Sequence, residues 1–180
     1  MATSLSGLAN LFVARRDYDG AEPLFREALS IRQKASGSDH LAVALSLNNL
    51  ANLLFLRGDY DGAEPLFRKA INIYKKAFGD SHPWVASGLS ILANLFVAKR
   101  DYNGAEPLYR EAICIEEKAH DRGHPNVAIS LNYLAYATRN TMRHINEETR
   151  RLGKECYTIL LNKLGADHPE TANARYWESF

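Results

Sequence analysis

The sequence predicts an all-α fold, a solenoid of antiparallel helix pairs, and three observations carry that prediction. Nearly identical blocks recur with a period of 42 residues. Apolar residues within each block follow the spacing of one helical stripe. Glycine, aspartate and His-Pro steps fall between those stripes, where helix ends belong.

The blocks read DYDGAEPLFRE at 17–27, DYDGAEPLFRK at 59–69 and DYNGAEPLYRE at 101–111. Upstream, Leu8, Leu50, Leu92 and Leu134 keep the same step, each followed by alanine, and downstream His40, His82 and His124 do too. Repeat 1 therefore spans 1–40, repeat 2 41–82 and repeat 3 83–124. A degenerate repeat 4 spans 125–168: two residues are added before His168, and MRHINEETRR replaces the block. The tail, 169–180, opens like a fifth first helix and stops, so it is expected to cap the last pair. Met1 and Ala2 align with Val43 and Ala44, so repeat 1 is expected to begin inside a first helix, as in a piece cut from a longer array.

Repeat 2 shows how each unit is built. In its first helix Leu47, Leu50, Ala51 and Leu54 sit at i, i+3, i+4 and i+7, and in its second Ala63, Phe67, Ala70, Ile71 and Tyr74 do the same. Between them Arg57-Gly58-Asp59-Tyr60 is a short polar turn, with Asp59 or Asp61 as the cap of the second helix. Asp61 with Glu64 fits a capping box, which would place Pro65 in the first turn. Gly79 closes the second helix and Pro83 opens the next. Arg16 and Arg100 stand where Gly58 does, so two of the turns lack the glycine. A helix pair of this kind cannot bury both apolar faces alone, so neighbouring pairs must stack.

Composition narrows the function. Twenty-two Lys and Arg against twenty-one Asp and Glu give a net charge of +1, which supplies no field to gather nucleic acid or an anionic membrane. Cys114 and Cys156 form no CxxC pair and read as buried or half-buried thiols in a reducing compartment. No signal-peptide pattern opens the chain, and the apolar run at 50–56 is too short to span a bilayer. A cytoplasmic location is expected. P-loop, GxSxG, HExxH and Rossmann glycine patterns are missing, and His120 with His124 forms an HxxxH without a third ligand, so no enzyme, cofactor or metal site is expected. Glu22 with Arg26, Glu64 with Arg68 and Glu106 with Arg110 are i, i+4 surface pairs worth a few tenths of a kcal/mol each.

The leucines at 47 and 50, small residues at 51, 63 and 70, and aromatics at 60 and 67 resemble the tetratricopeptide signature, with alanine in place of its first-helix glycine. The long period, LNNLA at 47–51, AEPL at 63–66 and GDSHP at 79–83 resemble the kinesin light chain subclass of that family. The resemblance implies a right-handed superhelix of helix pairs and a scaffold or adaptor that binds a partner protein or peptide in its concave groove.

Candidate binding residues follow from the helical wheel at about 100° per residue. Asn52 lies roughly 150° from the centre of the Leu47, Leu50, Ala51 and Leu54 cluster. Leu45, Asn48, Asn49, Phe55 and Leu56 share its side, which by the resemblance lines the groove. The matching sets are Ser6, Asn10 and Val13 in repeat 1, Ser90, Asn94 and Val97 in repeat 3, and Asn132, Tyr136 and Arg139 in repeat 4. Asn10, Asn52 and Asn94 form a ladder of amides suited to the backbone of an extended peptide; the alternatives are that each amide bridges to a neighbouring helix or simply reflects duplication. Tyr133 and Tyr136 would supply aromatic anchors or pack in the core. Arg139 is the main cation of the groove, too little for a carboxylate clamp. Arg15, Arg16, Arg57, Lys99 and Arg100 mark either a basic rim or a solvated edge. The competing reading is a structural spacer or a module that self-associates end to end.

Overall fold

A computed structural model describes residues 1–142 and 145–179. Among them the order is α1 (Ala2–Ala14), α2 (Tyr18–Ser36), α3 (Leu41–Arg57), α4 (Tyr60–Phe78), α5 (Pro83–Ala98), α6 (Tyr102–Ala119), α7 (Pro125–Met142), α8 (Glu147–Leu164), α9 (Pro169–Ala174) and a 3-10 turn, Arg175–Ser179. No strand occurs among the described residues, and the fold is an all-α array of helix pairs. The chain divides into two compact units, the first ending at Asp80 and the second beginning at Ser81.

The helix boundaries have local causes. Asp17, Asp59 and Asp101 cap α2, α4 and α6, each accepting from the N–H of the glycine three residues on at 2.9 Å. This corrects the capping-box expectation. Asp59 and not Asp61 is the cap, so Asp61 already lies within the first turn and Pro65 sits deeper, inside the helix. There its missing N–H forfeits a backbone bond to the Asp61 carbonyl. The histidines are more than spacers. Nδ1 of His40, His82, His124 and His168 accepts from the N–H two residues on at 3.1, 3.2, 3.2 and 3.2 Å, capping the first helices and α9.

Each first helix of the first three pairs closes with a left-handed residue: Arg16 at φ 61°, Gly58 at 82° and Arg100 at 60°. The N–H of Gly58 donates to Phe55 (3.0 Å) and that of Asp59 to Leu54 (2.9 Å), a Schellman closure. Arg16 with Asp17 and Arg100 with Asp101 repeat the pattern at 2.9 Å throughout. The arginines thus adopt the glycine's conformation instead of avoiding it.

In the first unit α2 packs between α1 and α3, and α3 on α4. Ala9, Ala21, Phe25, Leu50 and Leu53 form its buried centre. In the second unit α5, α6, α7 and α8 pack in chain order, and α9 and the 3-10 turn lie on α8. Both repeat-2 stripes named from sequence are buried. Cys156 lies in the second unit's core, where burial pushes its thiol up to about 12. Cys114 corrects the expectation of a covered thiol: it is exposed, on the side of α6 away from Ile113 and Ile115.

The block replacement in repeat 4 includes Arg143 and His144, which lie outside the described residues. Beyond them Asn146 caps α8, accepting from the N–H of Thr149 at 2.8 Å. The helix departs from its siblings at one place. Gly153 follows Tyr109 by 44 residues, the offset of His168 from His124, so it holds the position of Phe25, Phe67 and Tyr109. Trp177 from the 3-10 turn fills the space: a Cβ on Gly153 would run into the Trp177 ring. The tail returns the aromatic that α8 lacks.

Candidate functional site: a tyrosine-lined cleft in the second unit

With the leucine stripes of α5 and α7 spent on the core, the residues a quarter-turn away border open space. Asn94 and Val97 of α5 and Asn132, Tyr133, Tyr136 and Arg139 of α7 line a cleft of about 500 Å³, with Asn173, Tyr176 and Trp177 of the tail completing it. Six residues singled out from sequence, Asn94, Val97, Asn132, Tyr133, Tyr136 and Arg139, are brought together here.

The polar groups of the cleft are held from behind. The hydroxyl of Tyr109, fully buried, donates to Asn94 Oδ1 at 2.5 Å. Burial, reinforced by Tyr133, drives that phenol well above its usual range, so it stays protonated and remains a donor. The Trp177 indole N–H donates to Asn132 Oδ1 at 2.6 Å. Both amides therefore have their oxygens engaged from behind and keep their NH₂ groups as donors. Tyr133 stacks on Tyr109 with ring centroids 5.8 Å apart and 13° between planes. Tyr136 meets Tyr102 edge-on at 6.3 Å, and the Arg139 guanidinium lies 5.1 Å from the centre of the Tyr176 ring. Such rigid aromatic surface with a few fixed donors suits an extended chain carrying a flat or apolar side group.

The remaining candidates are placed differently. In the first unit Asn10 and Asn52 are exposed, whereas Asn48 donates to the Tyr74 hydroxyl at 3.0 Å and Asn49 is half-buried. Phe55 is half-buried, 5.5 Å from the Tyr60 ring. Ser90 is half-buried with its hydroxyl oxygen covered and no hydrogen-bond partner among the described residues. The asparagine ladder is thus unequal: Asn94 bridges to the neighbouring helix, while Asn10 and Asn52 are open. Of the basic edge, Arg57 pairs with Glu22 and lies 3.4 Å from Asp19, whereas Arg15, Arg16 and Arg100 are exposed. The three i, i+4 pairs form at 2.7, 2.9 and 2.9 Å on exposed helix faces.

Sequence reasoning missed two groups of residues. One is the tail wall, although the adjacent aromatics Tyr176 and Trp177 in a short polar tail were a signal. The other is a second-helix position, 32, 116 and their sibling 74, that reaches toward the first helices. Arg32 donates to Ser6 (3.3 Å) and Ser46, and buried Glu116 accepts from Ser130 at 2.9 Å. Burial raises the Glu116 carboxyl above its usual range, with the Ser130 hydrogen bond opposing.

A family model described as tetratricopeptide repeat matches residues 1–76 and again 43–115. No curated protein matches the sequence. Among solved structures the chain is similar to a putative kinesin light chain with nearly identical TPR-like repeats from Podosopora anserina, at 22% identity and a TM-score of 0.79, over 98% of this chain and 86% of that one. A form of that protein carrying one substitution gives a TM-score of 0.80 at the same identity and coverage. BtubC (BKLC) from P. vanneervenii is similar at 19% identity and a TM-score of 0.82, over 93% of this chain and 66% of that one. At these identities the structural likeness concerns the fold alone.

Proposed function

Because the chain belongs to the tetratricopeptide repeat family, whose repeats generally mediate protein–protein interaction, we propose that it is a non-enzymatic interaction module that takes an extended segment of a partner protein into the cleft of its second unit. The convergence of Asn94, Asn132, Tyr133, Tyr136 and Arg139 on one cleft carries this reading. The amide NH₂ groups would hold backbone carbonyls of the segment, and the tyrosine faces would cover an apolar side chain. Arg139 adds one cationic donor at the tail side, enough to orient a segment and too little to demand an acidic one. In the first unit Asn10 and Asn52, exposed at matching helical positions, offer amides of the same kind. No described helix is long and apolar enough to cross a membrane.

A peptide library displayed on phage and selected against the whole chain tests the proposal. Enriched peptides should bind by fluorescence anisotropy and lose about tenfold in affinity with Tyr136→Ala, a contact of about 1.4 kcal/mol, while the unfolding midpoint stays put. Selection that enriches nothing, or binding indifferent to Tyr136→Ala and Arg139→Ala, would overturn it. Asn94→Ala is a poor probe, because it strands the buried Tyr109 hydroxyl at a cost of about 1–3 kcal/mol.

A further inference from the structure

The first unit holds a cation without a counter-charge. Arg32 of α2 reaches between α1 and α3, and its Nη1 donates to the hydroxyl oxygens of Ser6 on α1 (3.3 Å) and Ser46 on α3. Those oxygens are fixed as acceptors, because each hydroxyl already donates to its own helix, Ser6 to the Ala2 carbonyl at 3.0 Å and Ser46 to the Ala42 carbonyl at 3.1 Å. Both serines are buried, so Nη1 is turned inward. Nε and Nη2 form the other edge of the guanidinium. No described residue takes their hydrogens or brings a carboxylate within ion-pair distance. Arg32 as a whole is half-buried, and both helices that flank it are in place.

Packing does not demand a cation at this position. One and two periods on, it holds Tyr74 and Glu116. Tyr74 accepts from Asn48, the sibling of Ser6, at 3.0 Å. Glu116 accepts at 2.9 Å from Ser130, which follows it by 14 residues as Ser46 follows Arg32. Phenol, carboxylate and guanidinium thus all serve the fold. A neutral side chain would bridge two hydroxyls as well, whereas a half-buried guanidinium has given up part of its hydration for neutral acceptors alone. An anion at the open edge restores what burial removed.

We propose that Arg32 is a subsite for one carboxylate, the side chain of an aspartate or glutamate in the partner's segment. This rests on the reading of the chain as a module that takes such segments. The Nε–H and Nη2–H edge meets the two oxygens of a carboxylate with parallel bonds, a fit that the point charge of a lysine does not reproduce. Ser6 and Ser46 hold the guanidinium beforehand, so little rotamer freedom is lost when the acid arrives. One positive charge matches one carboxylate, whereas a phosphate monoester, close to dianionic at neutral pH, would keep an unmatched charge. Asn10, exposed one turn beyond Ser6 on α1, stands where its amide can hold the backbone beside the acid.

The test is the phage selection run in parallel on the whole wild-type chain and on Arg32→Gln. Peptides enriched on the wild type should share an Asp or Glu at one position, and the preference should vanish on Arg32→Gln. For one enriched peptide followed by fluorescence anisotropy, glutamine in place of that acid should weaken binding to the wild type about tenfold or more, with no further loss on Arg32→Gln. Arg32→Lys, which keeps the charge and loses the fork, should fall between. The glutamine peptide on the wild type decides the matter even if Arg32→Gln unfolds. Enrichment without a shared acid, an acid replaceable by glutamine at no loss, or a preference that survives Arg32→Gln overturns the subsite and leaves the interaction module standing. Selection that enriches nothing on the wild type overturns both.

Discussion

Replacing Arg16 or Arg100 with glycine should stabilise the protein, and Gly58→Ala should destabilise it. All three residues sit at positive φ and close a helix through the same pair of backbone hydrogen bonds. A side chain in the left-handed region costs about 1–2 kcal/mol relative to the right-handed one, whereas glycine visits both freely. Glycine gives back about 0.5–1 kcal/mol through the larger entropy of its unfolded chain. The net gain is therefore about 0.5–1 kcal/mol for each arginine replaced. Nothing would touch a Cβ on Gly58 within 4 Å, so the opposite change at that site isolates the backbone cost. Neither arginine is buried, so little contact energy is lost with the side chain. For a chain of this size about 1 kcal/mol moves the midpoint by roughly 2–4 °C. Urea unfolding followed by far-ultraviolet circular dichroism gives the change in midpoint at constant slope. A lower midpoint for Arg100→Gly, or no change for Gly58→Ala, would refute the reasoning, since it would mean that the closing turn relaxes away from the left-handed region at no cost.

Other outcomes follow from the same geometry. Trp177→Ala should cost about 3–5 kcal/mol, as loss of a buried aromatic does, and should show first as faster amide exchange in α8 and α9. Gly153→Phe alone should be at least as damaging, because it collides with Trp177, whereas Gly153→Phe with Trp177→Ala should be less destabilised than the sum of the two, read as a coupling energy in a double-mutant cycle. His82→Ala should lose about 1 kcal/mol of stability by removing the acceptor for the Trp84 N–H, and His82→Asn should keep most of it. Glu116 titrates higher folded than unfolded, so the native state binds its proton more tightly and stability falls as pH rises through the folded value. Glu116→Gln should therefore stabilise at neutral pH, with the benefit vanishing below the usual carboxylate range; a benefit independent of pH would show that the charge is not what costs.

The period and the leucine stripes were enough for the fold, because a helix pair that repeats must bury the same places each time. Local chemistry was harder to read. Asp59 and Asp61 are two residues apart, and only the position of the backbone decides which one caps. Histidine read as spacing turned out to be an acceptor, since its Nδ1 reaches the N–H two residues on much as a shorter cap does. The side-chain partners of the candidate residues were not legible. Asn48, Asn52 and Asn94 share a side of the wheel, yet a tyrosine on the next helix occupies Asn48 and Asn94 and leaves Asn52 open. Such partners come from a neighbouring element, and a single helix cannot announce them. The tail wall was missed for the same reason: that Trp177 belongs over Gly153 depends on an offset of 44 residues and on α9 giving way to a tighter turn at Arg175.

That last pairing constrains how the sequence can change. An aromatic introduced at position 153 while Trp177 remains is a collision, and Trp177 lost while position 153 is glycine is a hole. Each single step passes through a less stable protein than either end point, so the two sites should drift together or stay fixed. Among relatives that share this tail, the columns for 153 and 177 should covary, glycine with tryptophan and aromatic with small, although 23 residues of chain separate them.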